Sequence, residues 1–445
     1  MNPADEKPKD TNKPSLKPWS AFAFIGFRLL WISGVSSSIT MMVRNIGFGV
    51  WLYEETGSGL QLGLIGIVQL AVQMPAILFG GSFADWIDRK KLIAVTQSFS
   101  FILITIATVL LITDNLRPVH IFSIVGVLGI TSTMGGPARS AMTANVVPGS
   151  HLMHAVTSNT ATFQISAIIT PLVFSLAYSL VGLVGVFALG ILFSIPATVI
   201  PLFINPIYGK TESLTSEPEN KRGDNHKNGS LLQTINREFG RIWAGFTFVR
   251  HHPILPGLYV MDIGVTIFSY YREIMPLIVD RLFRQGSVWI GPLTAANSLG
   301  GVAGSFLVLF MANFRAKGQL VLIATGIYAL LLFAFGSIQF LSTDPITLVV
   351  IGGVIIASLG ASDAVGMTTR QTTVQLTTPD DMRGRAVSFH SFSAMSANNL
   401  GTFEIGFMSS RIGAGNTMLL GGCIAILVVL SVWRLIPGLR NYRYP

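Results

Sequence analysis

A chain of 445 residues that is half apolar, only 11% charged and of mean hydropathy +0.59 lacks the polar surface of a water-soluble fold, for which about a quarter charged residues is usual. Its net charge of +9 calls for no nucleic-acid partner, because no polar domain exists to carry a basic face interleaved with aromatics. Long unbroken apolar runs exclude a β-barrel, whose strands alternate apolar and polar residues over short segments.

Residues 1–18 (MNPADEKPKDTNKPSLKP) are polar and proline-rich and read as a disordered cytoplasmic tail, not a signal peptide. Beyond them, Asp, Glu, Lys and Arg are missing from 56–84, 92–113, 118–138, 140–209, 285–314, 318–343, 386–403 and 412–433. A helical span takes roughly 20 residues. The predicted spans are therefore 22–52, 60–82, 92–112, 119–141, 153–178, 182–204, 253–279, 288–310, 319–340, 346–368, 387–409 and 415–436. The uncharged stretch 140–209 has room for two of them, with a tight turn around Gly182. This gives an all-α polytopic membrane protein: a six-helix bundle over 19–204, a cytoplasmic linker over 205–252, a second six-helix bundle over 253–437 and a cytoplasmic tail at 438–445. Abundant glycine (45 residues) suits close helix packing in lipid. Cys423 lies in an apolar run and is expected to pack as a small apolar residue.

Orientation follows from charge. With both ends cytoplasmic, most of the 30 Lys and Arg fall on that side; Arg117, Arg281, Arg284 and Arg411 fall outside, and Arg44 and Arg272 fall within spans. The halves also share a repeat. Arg139, Pro148 and Ala155 recur 231 residues later as Arg370, Pro379 and Ala386, each set at the end of a fourth span and the short loop before a fifth. Duplicated parallel halves point to a transporter that rocks one bundle against the other.

The sharpest local signal is GGSFADWIDRKK at 80–91. Gly80 and Gly81 permit close helix contact, and Asp85, Asp88, Arg89, Lys90 and Lys91 make a charged turn in which a carboxylate can hold neighbouring helix ends. The plain alternative is ordinary topology charge. The same alternative stands for Asp380, Asp381, Arg383 and Arg385 after Pro379, where the acids are expected to cap the next helix.

GGSFADWIDRKK resembles the signature loop between helices 2 and 3 of the major facilitator superfamily. WLYEETGS at 51–58, PARSA at 137–141 with Val147-Pro148, TTPDDMRGRAVSF at 377–389 and LGTFEIG at 400–406 extend the resemblance across nearly the whole chain, toward the drug and siderophore exporter branch that includes enterobactin exporters. The resemblance implies a twelve-helix fold, a gate formed by the 80–91 loop with Arg139, Arg370, Arg383 and Arg385, and an arginine at the position of Arg272 in the seventh span; Glu273 departs from that pattern. The corresponding loop of the second half, FMANFRAKGQ at 310–319, lacks the carboxylate, so the implied latch is asymmetric. Thr170-Pro171 stands where relatives carry Gly-Pro.

Charges within spans are costly and normally face a bundle interior or an aqueous cavity. Arg44, Asp262, Arg272, Glu273, Asp363 and Glu404, with Tyr271 beside them, are the candidates for a substrate or proton pathway; the competing reading is a set of static ion pairs. Arg44 and Arg272 favour a substrate with carboxylate or catecholate groups, because guanidinium offers a planar donor fork. The expected function is export of a siderophore or amphipathic drug-like compound across a bacterial inner membrane by alternating access, with proton antiport, in a chain that works as a monomer. A membrane structural or signalling protein retaining the transporter fold is the rival. No GxxxxGK[ST] loop, metal-ligand spacing or nucleophile–base set occurs in the sequence, so neither an ATPase, a metal or other cofactor, nor an enzyme is expected. Reporter fusions at residues 20, 230 and 445 should all read cytoplasm, and fusions near 56, 115 and 344 the outside; a periplasmic reading at 230 would overturn the two-half arrangement.

Overall fold

The computed structural model describes residues 17, 19–84, 88–205, 207–208, 240, 243–311 and 313–444. All of the expected 1–18 tail but residue 17, and most of the 205–252 linker, lie outside them. The chain is all-helical: α1 (Ile25–Thr56), α2 (Gly59–Ala84), α3 (Arg89–Ile112), α4 (Pro118–Val146), α5 (Gly149–Val199), α6 (Leu255–Ile267), α7 (Met275–Arg281), α8 (Ile290–Phe310), α9 (Lys317–Ser337), α10 (Pro345–Thr377), α11 (Asp380–Ile412), α12 (Ala414–Leu435) and α13 (Pro437–Arg440). Among the described residues nine helices are long and apolar enough to cross a membrane, or ten if one bent pair counts as a single span.

Local chemistry sets the helix ends. Gly57 closes α1 at φ 59°, a left-handed conformation that costs glycine nothing. Within α5, Gly182 takes φ 68° and ψ −164°, so this helix breaks where the uncharged stretch was expected to turn. Asp88 caps α3 by accepting from the Lys90 amide at 3.0 Å, and Asp344 caps α10 by accepting from the Thr347 amide at 2.9 Å. This amide bond first, and then the Thr347 hydroxyl donating to Asp344 Oδ1 at 2.7 Å, hold the Asp344 carboxyl below its ordinary range.

Four expectations need correction. α4 and α10 run on to Val146 and Thr377, well past the predicted ends, because nothing in their polar last turns breaks a helix before Pro148 and Pro379 force Val147 and Thr378 into extended backbone. Pro379, rather than an aspartate, is the N-cap of α11, and Asp380 sits in its first turn. The seventh span is not one continuous helix. α6 stops at Ile267, a 3-10 turn covers Tyr271–Ile274, and α7 begins with Pro276 in its first turn. Pro276 has no amide to give the carbonyl of residue 272 and its ring crowds that carbonyl. Arg272 and Glu273 are thus presented by a break, not by an α-helical face. Cys423 is exposed on α12 rather than packed.

α1 packs most extensively on α5, α8 on α10 and α9 on α12, while α2 against α11 and α5 against α8 join the first half to the second. Apolar side chains such as Leu180, Leu309, Phe310, Leu330, Val354 and Leu427 are exposed on the outer faces, as lipid contact requires.

The core is unevenly divided. One large buried cluster takes in Val43, Trp51, Phe174 and Phe187 of the first half and Ile278, Phe283, Phe335 and Met418 of the second. At the opposite end the halves have separate cores: Phe27, Ile93, Met142 and Ala155 in one, Leu258, Val321, Val374 and Val432 in the other. Among the described residues the halves are therefore joined at the Tyr53 end and have separate cores at the other.

Glycines let helices meet closely. A Cβ on Gly66 of α2 would overlap the Asn399 carbonyl of α11, and one on Gly300 of α8 would overlap the Ala357 carbonyl of α10, whereas Gly301 has its nearest atom 3.9 Å away. Gly300→Ala should therefore cost roughly 1–3 kcal/mol and lower the melting temperature in detergent, with Gly301→Ala close to wild type; equal melting of the two would refute the close α8–α10 contact.

Candidate functional site

A cavity of about 430 Å³ lies between the halves. Asn45 and Ile46 of α1 and Gln164 and Pro171 of α5 face Thr294 and Ser298 of α8 and Asp363 of α10, with Arg272 and Glu273 entering from the break in the seventh span. Arg272 Nη2 lies 3.8 Å from Asp363 Oδ2, with their side chains 51% and 47% exposed. The pair is thus loosely closed and wetted, and a ligand can reach both partners. Glu273 has no ion-pair partner among the described residues.

A second cavity, of about 300 Å³, lies within the second half and shares Arg272, Asn297 and Asp363 with the first. Its deeper wall carries Asp262 and Arg370, paired at 2.5 Å with side chains only 9% and 12% exposed, and His390 beside them. Tyr271, buried, accepts a hydrogen bond from Asn297 Nδ2 at 2.7 Å. The Arg272–Asp363 pair therefore stands between the central cavity and a buried ion pair.

A third cavity, of about 200 Å³, lies in the first half between α1, α3 and α4 and holds Arg44 and Arg139. Arg44 is 8% exposed; it donates to Ser100 Oγ at 2.8 Å and to Asn45 Oδ1 at 3.3 Å. The structure thus separates Arg44 from Arg272, which the sequence treated as one basic pair: Asn45 stands on the central cavity and Arg44 lies behind it.

Of the other sequence candidates, Gly80 and Gly81 belong to the last turn of α2, Asp88 caps α3, and Arg89, Lys90 and Lys91 form its first turn. Asp85 lies outside the described residues, as do the side chains of Arg383 and Arg385 in the first turns of α11. Glu404 in α11 lines none of these three cavities and has a buried Oε2 without a hydrogen-bond partner among the described residues. Among the described residues no group of three or more His, Cys, Asp or Glu is placed to hold a metal ion.

Sequence reasoning missed the seal beyond the central cavity. Tyr53 donates to Asp280 Oδ2 at 2.6 Å and accepts from Arg281 Nε at 3.2 Å. Glu54 Oε1 accepts from Tyr178 at 2.5 Å and from Ser287 at 2.6 Å. Ser175 donates to the Val288 carbonyl at 2.5 Å and accepts from the Gly291 amide at 3.0 Å. All these bonds except Tyr178–Glu54 cross from one half to the other. The WLYEETGS stretch was a signal for Tyr53 and Glu54, but their partners were legible only as loop residues and topology charges.

The family model described as Major Facilitator Superfamily matches residues 30–402. The chain belongs to this superfamily. Its members are transporters, not enzymes, and the fold is that of alternating-access secondary transporters. The chain is 24% identical over 421 residues to the enterobactin exporter EntS of Escherichia coli O1:K1 / APEC and, at the same identity, to that of Escherichia coli O6:K15:H31 (strain 536 / UPEC), with 92% of each chain covered in both comparisons. Among solved structures it is similar to a bacterial homologue of the iron transporter ferroportin in an inward-facing state (TM-score 0.63, 14% identity, covering 96% of this chain and 100% of that one). It is also similar to the peptide transporter POT in complex with sulfate (TM-score 0.67, 12% identity, 94% and 95% covered).

Within this superfamily fold the Asp262–Arg370 pair ties the seventh span to α10. Removing one partner of a buried pair costs about 3–5 kcal/mol, more than the pair contributes over a neutral replacement. Asp262→Asn should therefore lower the melting temperature in detergent more than the double variant Asp262→Asn, Arg370→Gln. A double variant no better than Asp262→Asn would show that the two residues act separately.

Proposed function

We propose that this superfamily member is a secondary active exporter of an acidic small molecule, of the siderophore kind, working by alternating access across a bacterial inner membrane. The observation that carries this reading is the uneven core: a shared apolar cluster and a polar seal at one end, and separate cores at the other, with a cavity between the halves. Twelve spans arise if α5 counts as two across Gly182, the broken 255–281 segment as one, and the less apolar α11 as another. The positive-inside distribution then puts the Tyr53 end outside and both termini in the cytoplasm, which makes the arrangement inward-open. The gating roles of Asp85, Arg89, Lys90, Lys91, Arg139, Arg370, Arg383 and Arg385 belong to the same reading, as the latch that closes the cytoplasmic end in the other state.

Arg272 supplies the recognition. Its guanidinium is half exposed to the central cavity and only loosely paired with Asp363, so a carboxylate or catecholate can take over the donor fork. Displaced from Arg272, Asp363 loses its counter-charge, and Glu273 is a second carboxylate on the same cavity. The substrate and the proton therefore act on the same charges, so occupancy by one changes the affinity for the other, the linkage that coupled transport needs. The likeness to enterobactin exporters over 92% of the chain supports siderophore export over export of neutral amphipathic drugs.

Reconstituted protein matched for amount, with siderophore efflux followed against an imposed pH gradient, tests this. Wild-type efflux should accelerate with the gradient. Arg272→Lys should slow an acidic siderophore about tenfold or more while sparing a neutral dye, and Glu273→Gln should flatten the pH dependence with substrate binding retained. Efflux indifferent to the gradient rejects proton coupling, and equal loss of every substrate in Arg272→Lys makes that residue a structural partner.

A further inference from the structure

The third cavity contains two arginines and no carboxylate among its described lining residues. Among the described residues Arg44 Nε and Arg139 Nη2 are buried without a hydrogen-bond partner, and Arg44, 8% exposed, has no ion pair there. Arg139 reaches across to α1, where Nη1 has only the Leu30 carbonyl and Ser33 Oγ, each at 3.5 Å. Gly34 leaves room for this reach, since a Cβ there would stand 3.2 Å from the same nitrogen.

The repeat makes the absence informative. Arg370, which stands 231 residues after Arg139 at the matching place on α10, closes on the Asp262 carboxylate at 2.5 Å. Among the described residues the first half keeps the arginine, adds a second one in Arg44, and provides neither with an acid. Two guanidiniums in one cavity, Arg44 buried and Arg139 half-buried, repel each other, and among the described residues both lack the counter-charge that buried ions require. Of the rest of the lining, the Ser100 hydroxyl and the Gln97 amide can donate, whereas Thr96 and Thr131 already give their hydroxyl protons to the Ile93 and Leu128 carbonyls.

We propose that this cavity is an anion site of the first half, taking an oxyanion of phosphate or carboxylate size between Arg44 and Arg139. Planar guanidinium forks match the paired oxygens of such groups. At ~30 Å³ per water, a cavity of about 200 Å³ holds one such group with water around it but not a multi-ring molecule. The site does not depend on which substrate the central cavity carries. It is coupled to that cavity through Asn45, which lines the cavity and accepts from Arg44. The oxyanion is either a free ion or the headgroup phosphate of an anionic lipid.

The test is thermal unfolding of the intact chain in a non-ionic maltoside detergent, with sodium chloride exchanged for sodium phosphate at constant ionic strength. Phosphate should raise the melting temperature saturably, by at least about 2 °C. Arg44→Gln or Arg139→Gln should weaken the apparent affinity about tenfold or more, and Arg272→Gln should leave it unchanged. Ser100→Asp places a fixed carboxylate against Arg44; it should raise the phosphate-free melting temperature and remove most of the phosphate response, which keeps the idea testable if an arginine variant does not fold. Phosphatidylglycerol that stabilises through the same two arginines and competes with phosphate identifies the headgroup as the occupant, and an unaltered phosphate response identifies the free ion. No saturable response in the wild type, a response lost in Arg272→Gln but kept in Arg44→Gln, or one that persists in Ser100→Asp overturns the site.

Discussion

Two helical halves in a bilayer gain little from hiding apolar surface from each other, because lipid is as apolar as leucine; close packing and polar contacts must hold them together. In this chain both are concentrated at one end. The buried cluster around Phe187, Phe283 and Phe335 is continuous across the halves, Gly66 lets α2 touch the backbone of α11, and Tyr53, Glu54 and Ser175 bond across to the 280–291 segment. At the other end each half closes on its own apolar residues. The cavity, the exposure of Arg272 and the separate cores all follow from that division.

The seal is built from groups that water can replace. Tyr53, Glu54, Asp280 and Ser287 meet at the margin of the fold, where a broken bond is resolvated and the net cost per bond is only about 1 kcal/mol. An apolar cluster alone would be slow to part, and buried ion pairs alone would be costly to expose. Neutral and charge-assisted bonds on the rim of a packed core give a contact that forms and opens within the few kcal/mol that separate two populated states.

How much of this was legible in the sequence depended on whether a feature is local. Charge-free runs gave the helices, and Gly182 gave the break in α5, because lipid and backbone geometry act residue by residue. The repeat anchored on Arg139 and Arg370 was readable from spacing alone. What could not be read was pairing. Whether Asp262 meets Arg370, whether Asp363 meets Arg272, and that Arg44 turns to Ser100 away from Arg272 are settled by how helices rotate against each other, and hydropathy has no term for rotation. The break at Phe268–Tyr270 was hidden for another reason: an apolar aromatic run looks like helix until Pro276, several residues on, removes the amide its turn would need.

The internal charges divide the two halves in kind. In the second half each arginine in the cavities faces an aspartate, Arg370 tightly and Arg272 loosely; in the first, Arg44 and Arg139 face hydroxyls and a carbonyl. A duplicated ancestor would have given both halves similar interiors, so the divergence has been tolerated or used. A neutral, self-paired half responds to a proton or a ligand by breaking a pair it already owns. A half with uncompensated positive charge responds by recruiting an anion. With Asn45 on the central cavity in contact with Arg44, and Asp363 on the same cavity in contact with Arg272, the one space between the halves reports on both kinds of chemistry. A substrate bearing negative charge then has a loosely held cation on one wall and a positive field behind the other, so its binding draws the two walls toward each other, and that is the direction in which a cleft sealed at one end must move to close over its load.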